Sequence, residues 1–122
     1  MAKLWLVLGA VYGGLGVALG AFGAHALKQR LPADMLAVWR TAVEYQFYHA
    51  LALLLLGLLA RQWPELPLKA TGTCFVLGVL LFSGSLYALA LTEVRALGAI
   101  TPIGGLLLLA GWTSLLWSVL RT

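Results

Sequence analysis

The 122-residue sequence has few charged side chains: 10% of its residues are charged and 62% are hydrophobic. Soluble globular domains carry about a quarter charged residues, so this composition excludes an ordinary soluble fold and indicates an integral membrane protein. Its eight Lys and Arg residues are scattered among the connections and ends of the chain, without a basic run interleaved with aromatic residues. The sequence therefore lacks the electrostatic pattern of nucleic-acid-binding proteins.

Cysteine is nearly absent as well. The single cysteine, Cys74, lies inside an apolar run. One thiol cannot form a disulfide within the chain, so cysteine usage says nothing about the compartment. We interpret Cys74 as a buried structural thiol.

Long apolar runs are what the sequence has in abundance. A membrane-spanning helix needs about 20 predominantly apolar residues, and four segments meet this requirement. We predict an all-α, integral membrane four-helix bundle that forms a single domain, with both termini on the same side. The predicted spans are residues 4–26, 41–60, 69–90 and 102–120, and an interfacial helix is predicted at about residues 32–40.

Turn and interface signals separate these spans. Pro32 and Asp34 suit the first turn of a helix that runs into the second span. Thr101 is predicted to cap the fourth helix, with Pro102 at its first position. Tryptophans are predicted to form an aromatic belt at one interface, namely Trp5, Trp63 and Trp117.

The second span has an unusual composition. Its apolar tail, residues 50–60, is too short to cross a bilayer, so the span must begin near Thr41 and include Glu44 and His49. An ionisable residue at the centre of a membrane helix costs about 2.5–3.5 kcal/mol and less near its ends. Such a residue is a functional hypothesis by default.

An up-and-down arrangement of four helices places the polar residues of all four in one leaflet. The candidates for ligand binding or a proton relay are His25, Glu44, Tyr45, Tyr48, His49, Ser83, Ser85, Tyr87 and Thr101. The structural alternative is that Glu44 pairs with Arg40 or His25 and that the tyrosine hydroxyls cap backbone carbonyls. We also expect His25, Glu44 and Tyr87 to approach one another.

Neither a metal site nor a cofactor is predicted. Glu44 and His49 are five residues apart, about 140° around a helix, so they cannot chelate one ion without a contribution from another helix. Ser83 or Ser85 with either histidine is a weak catalytic pair, because no third group is positioned beside it. No catalytic residue is assigned, and an enzyme is the less favoured interpretation.

Small residues are predicted to pack the helices closely. The first span contains two G-x-x-x-G pairs, Gly9/Gly13 and Gly16/Gly20, which let helix backbones approach each other. Two further motifs of small residues reduce the side-chain bulk of the third and fourth helices at the same depth in the membrane, namely Ser83-Gly84-Ser85 and Gly104-Gly105.

Four polar motifs inside the apolar spans resemble one known family, the domain of unknown function 423, which includes the eukaryotic transmembrane protein 256. The motifs are Gly20-Ala21-Phe22-Gly23-Ala24-His25, Glu44-Tyr45-Gln46-Phe47-Tyr48-His49-Ala50, Phe82-Ser83-Gly84-Ser85-Leu86-Tyr87, and Thr101-Pro102-Ile103-Gly104-Gly105 with Gly111-Trp112. The resemblance covers nearly the whole chain. It implies a small multi-pass protein of the bacterial inner membrane and brings no established reaction or catalytic residues.

The favoured hypothesis is an accessory or scaffold subunit of a membrane complex, because four short-looped helices offer much surface to partners and little soluble machinery. Its expected partners are the lipid bilayer and a second copy or another membrane protein. The alternative is a small proton-coupled carrier, or a lipid- or quinone-binding protein, that uses the polar cluster of one leaflet.

Overall fold

A computed structural model describes all 122 residues. It contains four α-helices and no β-strand. The helices are α1 (Ala2–His25), α2 (Ala33–Gln62), α3 (Lys69–Thr92) and α4 (Thr101–Leu120), and a short 3-10 turn, Arg95–Ala99, precedes α4. All four are long and apolar enough to cross a membrane. The predicted all-α membrane fold with four spanning helices is confirmed.

The N-terminal turn of α2 follows the predicted chemistry. Pro32 is the N-cap, and Asp34 lies in the first turn, where its Oδ1 accepts a hydrogen bond from the Met35 amide at 3.0 Å. The helix then continues unbroken for 30 residues. At 1.5 Å per residue it is about 45 Å long, about 15 Å more than the hydrocarbon core of a bilayer. One end of α2 must therefore leave this core, or the helix must tilt.

The start of α4 differs from the prediction. Ile100 is the N-cap, and no side chain caps the helix. The hydroxyl group of Thr101 instead forms a 2.6 Å hydrogen bond with that of Ser85 on α3. The predicted cap was wrong because a partner on a neighbouring helix competes for the same hydroxyl group.

The central pair of the bundle is α2 and α3. Helix α1 packs mainly against α2 and α4 mainly against α3, while α1 and α4 share no extensive interface. Two side chains of α1 also reach α3: Trp5 lies against Gly72, and the Tyr12 hydroxyl donates a 2.8 Å hydrogen bond to the Val76 carbonyl.

Glycines on α1 form its packing surface for α2, as predicted. A Cβ atom at Gly9 would lie 2.9 Å from the Ala50 carbonyl oxygen, and one at Gly16 would lie 3.0 Å from the ring of Phe47. Two residues before the end of α1, a Cβ atom at Gly23 would lie 2.5 Å from the indole of Trp39. Gly104 likewise brings α4 onto the backbone of α3 at Phe82.

The two chain termini lie at the same end of the bundle, which we call the terminal end. There the Ala2 carbonyl lies beside Gly57 of α2, and the Ser118 hydroxyl of α4 donates to the Pro67 carbonyl at 3.0 Å. The opposite end contains the connection from α1 to α2 and the connection from α3 to α4.

The three tryptophans predicted to form a belt differ in their exposure. Trp63 and Trp117 are exposed at the surface. Trp5 is 3% exposed and packs against Gly72, so its assignment as an interface residue was wrong. The glycine on α3 makes room for the indole, and this complementarity cannot be read from α1 alone.

Candidate functional site

A buried glutamine lies at the centre of the contact between α1, α2 and α3. The side chain of Gln46 is 4% exposed. Its Nε2 donates to the Tyr12 carbonyl of α1 at 2.9 Å, and its Oε1 accepts from the Tyr87 hydroxyl of α3 at 2.6 Å. Tyr12 in turn donates to α3 through Val76. We call Tyr12, Gln46 and Tyr87 the polar core, because their hydrogen bonds connect three helices.

The buried imidazole of His49 has a hydrogen-bond partner on each nitrogen. Its Nδ1 lies 2.8 Å from the Tyr45 carbonyl, and its Nε2 lies 3.1 Å from the indole Nε1 of Trp112 on α4. A carbonyl only accepts and an indole N–H only donates, so Nδ1 carries the proton and Nε2 is the acceptor. The partners thus select one neutral tautomer, in which both ring nitrogens are hydrogen-bonded within the chain.

Aromatic rings enclose this histidine. The ring of Phe75 lies 5.3 Å from the His49 ring and 5.0 Å from that of Trp112. The Tyr45 ring, one turn earlier on α2, is stacked at 6.4 Å from the His49 ring. These contacts orient the imidazole toward α4, so His49 connects α2 to α4 across α3.

The predicted serines also connect helices. Ser83 is 1% exposed and donates to the Ala42 carbonyl of α2 at 2.7 Å. Ser85 bonds with Thr101 of α4 and lies 3.0 Å from the Phe82 carbonyl of its own helix. Neither serine forms a hydrogen bond with a histidine, so the arrangement does not provide a nucleophile activated by a base.

The buried polar side chains of the bundle all have hydrogen-bond partners. No buried side-chain nitrogen or oxygen lacks a hydrogen-bond partner. Each of these polar groups would be costly to bury without one. The hydrogen bonds of Gln46, His49, Ser83 and Ser85 all join neighbouring helices.

Other predicted site residues lie on the outer surface. Glu44, Tyr45, Tyr48 and His25 are exposed. The rings of Tyr45 and Tyr48 meet edge to face at 5.6 Å. Glu44 and the buried Gln46 are two residues apart, about 200° around the helix, so they point in nearly opposite directions. The hydrogen bonds of the chain do not connect His25, Glu44 and Tyr87: the partner of Tyr87 is Gln46.

Glu44 lies in a groove between the end of α1 and the first half of α2, which we call the α1–α2 groove. Its volume is about 330 Å³. Three charged residues line it, Lys28, Arg40 and Glu44, and its apolar wall includes Gly20, Trp39 and Val43. It combines two cations and one anion at the opposite end of the bundle.

A second groove, of about 620 Å³, lies between α2 and α4 over Phe82 of α3. Its walls are mostly apolar, with Tyr45, Leu106, Leu109 and Trp112 among the lining residues. We call it the α2–α4 groove. It is suited to an apolar or aromatic group and offers few unused polar atoms.

Sequence reasoning missed the most connected side chains. Gln46 carries no charge and so does not stand out in the sequence, although its amide can donate and accept hydrogen bonds at the same time. Trp39 and Trp112 were not recognised as donors, yet their indole N–H groups bond to the Leu19 carbonyl and to His49. A useful signal was available: an uncharged amide inside an apolar span requires partners on other helices.

Comparison with known proteins gives a consistent result. The family described as "Protein of unknown function (DUF423)" matches residues 19–105. A UPF0382 membrane protein of Staphylococcus haemolyticus is 47% identical over 119 residues, which are 98% of this chain and 97% of the relative. The UPF0382 membrane protein YwdK of Bacillus subtilis is 44% identical over 111 residues, 90% of each chain. No solved structure matches this chain.

Proposed function

Since the chain belongs to the DUF423 family, a family of unknown function whose matched bacterial relatives are membrane proteins, we propose that it is an accessory or scaffold subunit of a complex in the bacterial inner membrane. In this role its helices provide surface for a second copy or for another membrane protein. The proposal assigns no reaction to the chain.

One observation carries this proposal: every buried polar side-chain atom already has a hydrogen-bond partner inside the chain. A catalytic or transport site needs groups that are free to meet a substrate or a proton. Here the imidazole of His49, the amide of Gln46 and the hydroxyl of Ser83 are all used to join helices. The interior therefore favours a structural role.

The outer surface supports the same role. Small residues on α1 form an outward row at intervals of four, Ala10, Gly14 and Ala18, and a Cβ atom at Gly14 would have nothing within 4 Å. Small residues at this spacing let a neighbouring helix approach closely in a membrane. On α2, Tyr48 is 54% exposed and can hydrogen-bond to a partner helix.

A lipid- or quinone-binding role is the second candidate, and the α2–α4 groove is the observation that favours it. Its apolar walls and the exposed face of Trp112 suit a flat ring or an acyl chain. A proton-coupled carrier has less support, because both nitrogens of His49 are occupied.

We propose that both termini lie on the same side of the inner membrane, with four passes between them. The contacts of the terminal end support this topology, because the chain returns to that end after α2 and again after α4. Basic residues do not decide which side it is, since four lie near each end of the bundle: Lys3, Arg61, Lys69 and Arg121, against Lys28, Arg30, Arg40 and Arg95.

The test uses two outward glycines. Cβ atoms at Gly14 of α1 and Gly84 of α3 would meet nothing within 4 Å, so Gly14→Leu and Gly84→Leu add bulk to the outer surface without touching the core. A tagged chain expressed at its natural level is extracted from its own membrane and separated by native electrophoresis. We expect a discrete complex that is lost in at least one variant, while both variants remain folded and membrane-inserted. Migration of the wild type as a free single chain would contradict the proposal.

A further inference from the structure

One narrow row of side chains on α2 faces away from the rest of the bundle. Its members follow one another at alternating steps of four and three residues, and all are exposed: Glu44, Tyr48, Leu51, Leu55, Leu58 and Gln62. The three leucines are between 56% and 61% exposed. These steps are those of the a and d positions of a heptad repeat, along which two helices pack in a coiled coil. We call this row the α2 seam.

The faces of α2 on either side of the seam are already used by the bundle. On one side, Phe47 and Val43 pack against the glycines of α1. On the other side, His49 accepts the hydrogen bond from Trp112 of α4. The outer faces of α1 and α4 are broader than this row. A strict a/d stripe has the width that one partner helix covers, so the free surface of α2 matches a single helix.

Three polar groups at the start of the seam have no partner within the chain. The Glu44 carboxylate and the hydroxyl groups of Tyr45 and Tyr48 take part in none of the side-chain hydrogen bonds. All three residues lie inside the predicted second span, where a polar group without a partner is costly. Leucines alone give membrane helices little reason to associate, because lipid is equally apolar, whereas hydrogen bonds between helices favour association.

These polar groups complement a second copy of the same helix. Copies that insert with the same topology run α2 in the same direction. In such a parallel pair, Glu44 at a d position fits into a hole between four residues of the other helix, which include Tyr45 and Tyr48. Helical side chains point toward the N-terminus of their helix, so the Tyr48 hydroxyl group points back toward the level of Glu44. Each carboxyl group therefore meets two hydroxyl donors of the other copy.

The two Glu44 side chains also face each other in this pair. Adjacent carboxylates repel each other when both are ionised, but they can share one proton, and the protonated group then donates a hydrogen bond to the other. Arg40, one turn nearer to the N-terminus of α2 on the same face, adds a positive charge. Two-fold symmetry thus supplies each donor and each acceptor twice, which favours a second copy over an unrelated helix.

We propose that the chain forms a parallel, two-fold symmetric dimer through the α2 seam. The leucines at 51, 55 and 58 pack between the two helices, and the Tyr48 hydroxyl group of each copy donates to Glu44 of the other. This inference rests on the proposed subunit role and names one partner, a second copy. It leaves the outward glycines of α1 and α3, Gly14 and Gly84, on surfaces that are free for other proteins.

Cysteine cross-linking in the native membrane tests the seam. Cys74, the single cysteine, is first replaced by alanine, and one new cysteine is then introduced into the full chain. A parallel two-fold seam brings each residue opposite its own copy, so Leu51→Cys and Leu55→Cys should form disulfide-linked dimers on oxidation with copper phenanthroline. Leu106→Cys and Leu109→Cys are the matched controls, since these α4 leucines are 66% and 63% exposed, and both should remain single chains. Equal cross-linking at the two pairs, or none at Leu51 and Leu55, would overturn the proposal.

The hydrogen bonds of the seam are tested by energy transfer between labelled chains in liposomes. Two symmetry-related hydrogen bonds of average strength favour a pair of membrane helices about five- to tenfold, so Tyr48→Phe should weaken the dimer by that factor. Leu55→Ala should also weaken it, whereas Leu109→Ala should leave it unchanged. Thermal unfolding of the single chains in excess detergent verifies the fold of each variant. Unchanged association of Tyr48→Phe would refute the polar contact that selects a second copy.

The seam and the subunit role can fail separately. If the native complex persists while Leu51→Cys and Leu55→Cys give no cross-linked dimer, the seam is refuted and the subunit role stands with another protein as partner. If the wild type migrates as a free single chain, both proposals are refuted.

Discussion

Gln46 is the side chain whose replacement should destabilise the bundle most clearly. Gln46→Leu keeps a similar volume but removes the donor to the Tyr12 carbonyl and the acceptor for the Tyr87 hydroxyl. It therefore breaks one link between α1 and α2 and one between α2 and α3. The Tyr87 hydroxyl then has no partner in a half-buried position.

The expected loss follows from these two hydrogen bonds. Interhelical hydrogen bonds in membrane proteins contribute about 0.6 kcal/mol on average and up to about 1.7 kcal/mol. Two such bonds give about 1–3 kcal/mol, and a half-buried hydroxyl group without a partner brings the loss toward the upper limit. We expect the free energy of unfolding of Gln46→Leu to fall by this amount.

The assay is reversible unfolding in mixed micelles of a mild detergent and dodecyl sulfate. A double-mutant cycle with Tyr87→Phe isolates the 2.6 Å bond, and we expect a coupling of about 0.6–1.7 kcal/mol. Gln62→Leu is the matched control, since Gln62 is exposed at the end of α2. Stability of Gln46→Leu within about 0.5 kcal/mol of the wild type, or strictly additive effects in the cycle, would refute the role of the polar core.

Three further predictions test other parts of the structure. Gly23→Ala should lower the free energy of unfolding by about 1–3 kcal/mol, because its Cβ would lie 2.5 Å from the indole of Trp39. Gly14→Ala, whose Cβ would meet nothing within 4 Å, should be nearly neutral. Equal effects of the two variants in the same micelle assay would contradict the packing of α1. Glu44→Gln and Glu44→Leu should both insert and melt like the wild type, because the side chain is exposed; unchanged rescue of a deletion strain by both would reject any functional role for Glu44. Reporter fusions after Ala60 and after Leu120 should lie on the same side of the membrane, and opposite sides would exclude the four-pass topology.

The helices could be predicted from the sequence because their signals are local. Four apolar runs of spanning length are separated by Pro32, Pro64 and the polar segment around Glu93. The sequence predicts that the interfacial segment runs directly into the second span, and α2 begins at Ala33 as one unbroken helix. The predictions of a cap at Thr101 and of an interface role for Trp5 were wrong, because Thr101 bonds with Ser85 and Trp5 packs against Gly72, both on α3.

The inward face of α2 was harder to predict. In a soluble helix the apolar stripe marks the core, but a lipid-facing surface is as apolar as the interior. The buried row includes Trp39, Ala42, Gln46 and His49, whereas the charged row with Glu44 faces outward. The charge of Glu44 makes it the stronger candidate in the sequence, although the uncharged Gln46 is the residue whose hydrogen bonds join the helices. Only the packing of α1 and α3 distinguishes the two rows.

The mass of the assembly in its own membrane tests the proposed subunit role most directly. The tagged chain, at natural abundance and able to rescue a deletion strain, is extracted with a polymer that keeps the surrounding lipid, and its mass is measured after purification. We expect a species well above the 13.0 kDa of one chain, with a fixed ratio of this chain to a second copy or to another membrane protein. A single 13.0 kDa chain in lipid, from cells in which the same tagged protein is fully functional, would contradict the subunit role.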